Sequence, residues 1–377
     1  MNIPFVYGRM AEKEEFTGRK NDIQRLKMNL QGGINTVIIS PRRWGKTSLV
    51  NRVMKDISTD ESYLLCKVDA FNCRSEEDFY QSYLNAILNA TANHFSDFVQ
   101  LVKKYIGSFG PKFTLADLGV TTSFSVGIDF REKNYSPDEI LDIPEKIAKE
   151  KGKQFIIAID EFQNVENFED PKAFQAKLRA HWQVQSHCCY CLFGSKRHML
   201  LNMFGDYEMP FYKFGDLMLL EKIPAEEWRD FIVRRFHDTG KDIAAELAQE
   251  MAEKVECHSF YVQQYSQLVW LLTDHTATCE QAQLGYEQLM DRSSLLFSNL
   301  LDNLRPKQIN FLLAIARGER NLNSTQTLTR YKLGSSANIK NLKKAVTEKD
   351  LVDILPSGQL EIQDPVLKQW ILKNYTV

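Results

Sequence analysis

The run "VIISPRRWGKTSLVNRV", Val37–Val53, constrains the fold more than any other stretch of the chain. "NTVIIS", Asn35–Ser40, is a short β-branched apolar run suited to a buried parallel strand. After "PRRWGKT" comes "SLVNRVMKDI", whose apolar residues recur at helical spacing. Strand, loop, Gly-Lys-Thr and helix, in that order, are the setting in which a phosphate-binding loop works. The loop's N–H groups and the positive end of the helix together make an anion site. In such a loop Lys46 reaches the β- and γ-phosphates and the Thr47 hydroxyl ligates Mg²⁺, with Pro41, Arg42, Arg43, Trp44, Gly45 and Ser48 as further contacts. Ser40 stands where the pattern has its first glycine, a residue that frees the turn. Pro41 pre-sets φ for the same turn, and Gly45 keeps the closest backbone approach open. The loop is expected to bind nucleotide, and Ser40→Gly to leave binding intact or improve it.

A second site is "KQFIIAIDEFQNV", Lys153–Val165. Five apolar residues, Phe155 to Ile159, make a buried strand that ends in Asp160-Glu161. An acid there holds Mg²⁺ through water, and its neighbour can orient and deprotonate the attacking water. Asp160 is assigned the first role and Glu161 the second. Taken alone, the run is equally an ordinary strand with a solvated acidic turn. The phosphate loop upstream makes nucleotide hydrolysis the better reading.

Bulk properties exclude several classes. The chain has 377 residues and a formal net charge of -2, with 44% hydrophobic and 25% charged residues. That length suggests about two or three domains, and that charge gives no global field for nucleic acid or anionic membrane. No apolar run reaches the ~18 residues of a membrane span, and "MNIPFVYGRMAEKEEF" has no secretory pattern, so a cytoplasmic location is expected. Seven cysteines without that pattern point to reduced thiols. Cys188, Cys189 and Cys191, beside His187, offer half of a zinc site at most and read better as thiols in a buried strand.

Together these motifs resemble the archaeal-type AAA-like ATPases, related to the STAND class of signalling ATPases. "FTGRKNDIQRL", Phe16–Leu26, is similar to that family's opening box, which implies that Phe16, Gly18 and Arg19 pack near the adenine. "SPRRWGKTSL" and "IAIDEFQNV" are similar to its P-loop and Walker B strand, and "CLFGSKRHML" to its sensor strand. In ATPases of this type a polar residue ends the strand between the two Walker strands and touches the γ-phosphate or the lytic water. Ser195 is the candidate here; it also suits the cap of the helix "KRHMLLNMF". Arg179 and Arg197 are candidates for an arginine finger. "PFYKFGDLMLLEKIP" and "LEIQDPVLKQWI" follow the family's later segments, with Lys213 where arginine is usual and no proline in "CHSFYVQQY".

The expected fold is α/β: a P-loop NTPase core with a doubly wound parallel sheet over 1–223, an α-helical lid over 224–292 and a winged helix-turn-helix domain over 300–377. "GPKFTLADLGVTTSFSVGIDF", about 110–130, reads as a β-hairpin insertion. In the last domain "SSANIKNLKKAVTEKDLV" is the recognition-type helix, carrying Lys340, Lys343 and Lys344, and "VDILPSGQLEI" is the wing. A basic stripe through 335–362 admits DNA, but an autoinhibitory or partner-docking module, with a protein client or self-association, is preferred. The expected activity is Mg²⁺-dependent ATP hydrolysis serving as a molecular switch. The competing expectation is a DNA-binding regulator or mobile-element protein whose ATP is structural.

Overall fold

The computed structural model describes residues 3–106, 113–117, 124–128, 137–355 and 357–376. The chain forms two compact units. One contains Arg19–Arg42 and Lys46–Leu220; the other contains Met1–Gly18, Arg43–Gly45 and Glu221–Val377. Among the described residues no helix is long and apolar enough to cross a membrane.

The first unit is built on a five-stranded sheet. In chain order it contains α1 (Lys20–Gln31), β1 (Thr36–Ile39), α2 (Lys46–Ile57), β2 (Tyr63–Asp69), α3 (Glu76–Asn89) and α4 (Phe95–Tyr105). A hairpin of β3 (Phe113–Asp117) and β4 (Phe124–Ile128) follows, then α5 (Ile143–Lys151), β5 (Gln154–Asp160), α6 (Pro171–Trp182), β6 (Cys188–Gly194), α7 (Arg197–Gly205) and β7 (Asp216–Leu219). The sheet runs β2-β5-β6-β1-β7 with every pair parallel. Central β6 is buried along its whole length, while edge strand β2 has exposed positions, as coverage from both faces requires of the interior strands alone. Cys188, Cys189 and Cys191 are buried in β6, and burial pushes the Cys189 thiol up to about 12.

Within the segment read as an insertion, about 110–130, β3 and β4 pair antiparallel, and the residues between them lie outside the described ones. Gln81, Asn85 and Asn89, four residues apart along one face of α3, bond the backbone of Phe124, Val126 and Ile128 along β4. The four-residue repeat of a helix advances about 6 Å and the two-residue repeat of a strand about 6.7 Å. A row of carboxamides on a helix can therefore satisfy a strand edge.

The start of β6 is fixed by Glu145 of α5. Its carboxylate accepts from the Ser186 and His187 backbone N–H groups at 3.2 and 2.9 Å, and from the Ser186 hydroxyl at 3.2 Å. Lys149 lies 3.2 Å away. Burial would push this carboxyl up, but the bonds to His187, Lys149 and Ser186 outweigh it and bring it down to about 2.

The second unit is helical. It contains α8 (Ala225–His237), α9 (Ala245–Lys254), α10 (Ser259–Leu272), α11 (Cys279–Asp302), α12 (Pro306–Ala316), α13 (Thr325–Arg330) and α14 (Ser336–Glu348). The short strands β8 (Val352–Ile354) and β9 (Leu360–Ile362) pair antiparallel before α15 (Pro365–Asn374). One apolar core runs from Phe5 through Trp228, Tyr265 and Phe311 to Ile371. The N-terminal segment is held in this unit by Gln263, which accepts from the Val6 N–H and donates to the Glu15 carbonyl, both at 3.1 Å.

Glu145→Gln should destabilise the protein by about 1–3 kcal/mol near neutral pH, because neutral glutamine is a weaker acceptor for the same donors. The folded carboxyl sits below its ordinary 4.5, so its contribution is present above that value and is lost as pH falls toward about 2. Urea unfolding of parent and variant at pH 7 and pH 3.5 checks this: the gap should narrow at the lower pH.

Candidate nucleotide site

β1 and β5 both end at the carboxyl edge of the sheet, and β6 lies between them. Ligands of open parallel sheets bind beyond that edge. Ser40 follows β1, Asp160 ends β5, and Ser195 follows β6, whose Gly194 pairs with Ile39. α2 begins at Lys46, so Lys46, Thr47 and Ser48 occupy its first turn.

These side chains converge. Thr47 Oγ1 donates to Asp160 Oδ2 at 3.2 Å across 113 residues of chain. Asp160 Oδ1 accepts from the Glu161 backbone N–H at 2.8 Å. Ser195 Oγ donates to Glu161 Oε2 at 2.9 Å. Lys46 is 6% exposed, and burial lowers its ammonium although Glu161 and Asp160 act to raise it and Arg42 acts to lower it further. The Asp160 carboxyl is pushed up to about 6, by burial first, against the pull of Lys46. A buried ammonium, a half-buried acid and a second acid thus stand together at the head of a helix.

Ser40 fits without strain. The left-handed residues of the loop are Arg43, at φ 64°, and Gly45, at φ 90°, while Ser40 is not among the positive-φ residues described. Its hydroxyl donates to the Pro41 carbonyl at 3.1 Å. A glycine there would relieve nothing and would add freedom to the unfolded chain, at a cost of ~0.5–1 kcal/mol. Of the two outcomes expected of Ser40→Gly, unchanged or improved nucleotide binding, this geometry favours unchanged binding.

The remaining predicted residues are more scattered. Arg43, Trp44 and Gly45 group with the helical unit, where the Arg43 guanidinium lies 4.6 Å from the Phe260 ring centroid. Phe16 and Gly18 also belong to that unit. Arg19 caps α1 at φ 65°, is 7% exposed and pairs with Asp22 at 3.1 Å. Pro41 is buried and Arg42 exposed. Arg197 opens α7, two residues beyond Ser195. Arg179 donates to the Pro210 and Tyr212 carbonyls at 2.7 and 2.6 Å, which commits its guanidinium to holding the turn before β7.

Sequence reasoning missed Gln163. It is 1% exposed, and its Nε2 donates to Glu161 Oε2. Its sequence neighbourhood reads as an ordinary polar turn. The available signal was Gly194, a glycine at the end of an apolar strand.

Asp160 gives this site a pH signature. Its folded carboxyl lies above the ordinary 3.8, so its stabilising contribution is fully present below that value and is lost as pH rises through about 6. Between pH 4.5 and 7 the parent should lose about 1–3 kcal/mol relative to Asp160→Asn, measured by urea unfolding without nucleotide. Parallel pH responses of the two proteins would remove the buried-acid account.

Comparison with known proteins extends these observations. Residues 43–171 match the KAP family P-loop domain, and residues 295–373 match a probable winged helix domain. A Walker-type ATPase of Pyrococcus abyssi superposes with a TM-score of 0.67 at 17% identity, covering 98% of this chain and 99% of that one. The Aeropyrum pernix ORC2 protein, solved as ADPNP-ADP complexes, superposes with a TM-score of 0.59 at 14% identity, covering 98% and 96%. No curated protein matches the chain in sequence. With β6 between the two motif-bearing strands, the chain combines a P-loop NTPase domain, similar over residues 43–171 to that of the KAP family, with a C-terminal winged helix domain.

Proposed function

We propose that the sheet-bearing domain binds ATP with Mg²⁺ and hydrolyses it slowly, the nucleotide state serving as a conformational switch. The contact that carries this reading is Thr47 Oγ1 to Asp160 Oδ2 at 3.2 Å, with Lys46 and Glu161 beside it. A hydroxyl and a carboxylate facing each other are the hard oxygen donors that suit Mg²⁺. A cation there would also offset the burial that raises the Asp160 carboxyl. When bound, Mg²⁺ draws charge from the β- and γ-phosphate oxygens.

The chain's own groups do the rest. Lys46 and the N–H groups that open α2 hold the phosphates. Glu161 takes a proton from water as the water oxygen bonds to the γ-phosphorus and the bond to the bridging oxygen breaks, giving ADP and phosphate. Phe16, Gly18 and Arg19 are proposed on the adenine side, and Ser195 as the residue that registers the γ-phosphate. Of the two arginine-finger candidates Arg197 is retained, since Arg179 is occupied by backbone carbonyls.

The winged helix domain is read as a partner-docking element. Segment 335–362 holds four lysines and four acidic residues, so it has no net charge to offer phosphates. Lys344 also lies 3.7 Å from Glu348. Salt-sensitive binding of duplex DNA by the intact chain would reverse this reading.

Lys46→Ala should weaken ATP binding at least about tenfold, since the site loses its buried ammonium. Glu161→Gln should bind ATP and Mg²⁺ like the parent yet hydrolyse ~10²–10⁴-fold more slowly. Asp160→Asn should lose Mg²⁺ dependence together with turnover. ATP titration beside phosphate release at varied Mg²⁺ separates the three; parental hydrolysis by Glu161→Gln would remove the base.

A further inference from the structure

Gln163 occupies an unusual place. It lies in the six-residue 3-10 helix Phe162–Asn167 that follows Glu161, yet its side chain is buried rather than solvated. Its Nε2 donates to Glu161 Oε2, the same oxygen that accepts from Ser195 Oγ at 2.9 Å. Its Oε1 is buried with no hydrogen-bond partner. Turning the amide over would set its oxygen against the Glu161 carboxylate, so the amino group must face the acid.

The chain makes room for this amide. A Cβ on Gly194 would stand 1.7 Å from Gln163 Oε1 and 2.9 Å from its Cδ. Gly194 is not among the described positive-φ residues, and it sits in regular register opposite Ile39. Backbone conformation therefore does not require glycine there; the carboxamide does. A leucine or methionine at 163 would fill the space without burying an unpaired oxygen, which is unfavourable. What the amide adds over them is the donor on Glu161.

We propose that Gln163, seated over Gly194, is a positioning residue for Glu161. Together with Ser195 it holds Oε2, so that Oε1, which accepts no hydrogen bond among those described, is the oxygen that takes the proton from water. The hold also fixes the left-handed backbone of Glu161, at φ 49°, a conformation a glutamate adopts at a cost. This inference rests on the reading of Glu161 as the general base.

The test is hydrolysis of ATP by excess protein at saturating Mg²⁺, beside ATP affinity and thermal unfolding. Gln163→Met keeps the volume and removes the donor. It should bind ATP within about twofold of the parent and hydrolyse it about ten- to hundredfold more slowly, the usual cost of a misdirected catalytic group. Gly194→Ala should do the same by displacing the amide. In a Glu161→Gln background, Gln163→Met should cost almost nothing further, because residues acting through one group are not additive. Parental hydrolysis by Gln163→Met while Glu161→Gln is slow overturns the positioning role and spares the base. Equal losses in affinity and rate overturn it too, since they mark a packing role. Parental hydrolysis by Glu161→Gln, or a parent without turnover, overturns the base and this inference with it.

Discussion

The ammonium of Lys46 is almost out of water at the head of α2, and the rest of the site follows from that burial. A lone buried cation is costly, so acids must stand near it, and the nearest are Asp160 and Glu161 at the end of β5. Partial burial in turn pushes the Asp160 carboxyl up to about 6. Such a site is poised for a ligand that brings both signs. In the function proposed above, phosphates answer the lysine and a cation answers the acids. The sheet makes this possible: β1, β6 and β5 lie side by side, so residues far apart in sequence reach one edge.

Much of this was legible in the sequence, for identifiable reasons. β1, β5 and β6 are continuous apolar runs, and only strands covered on both faces need that. Their polar terminators, Ser40, Asp160 and Ser195, could be assigned to the carboxyl edge because parallel strands all end there. The wing and recognition-type helix were readable from turn residues and helical spacing. The relation between Gln163 and Gly194 was not. They are 31 residues apart along the chain, and what joins them is an absent side chain. Periodicity reports which residues are apolar; it does not report which empty volume a polar neighbour will enter. The attachment of Phe5 to the core around Phe231 and Phe236 was hidden in the same way, because a short extended segment has no period to detect.

Ser40 shows how a motif departure should be weighed. A consensus glycine matters where the backbone needs positive φ or where a neighbour needs the space. Neither condition holds at Ser40, whose hydroxyl has a carbonyl partner at 3.1 Å. The loop meets its need for left-handed backbone at Gly45, where glycine is retained, and at Arg43. At Arg43 the conformation is unfavourable for a residue with a Cβ, and the stacking of its guanidinium on Phe260 is an interaction that can offset the strain.

Gly194 is the opposite case. Its backbone is regular, and its neighbours in β6 are large apolar residues. Burying a carboxamide against it sacrifices one hydrogen bond, because Gln163 Oε1 is left without a donor. A fold selected for stability alone would replace that pair with two hydrocarbons. The amide instead points its amino group at the acid beside Asp160, where two donors, Gln163 and Ser195, meet on one oxygen. Local departures from the best-packed solution are expected where a side chain must be aimed rather than merely accommodated. In this chain the departure lies two residues from Glu161, the group whose direction hydrolysis would depend on.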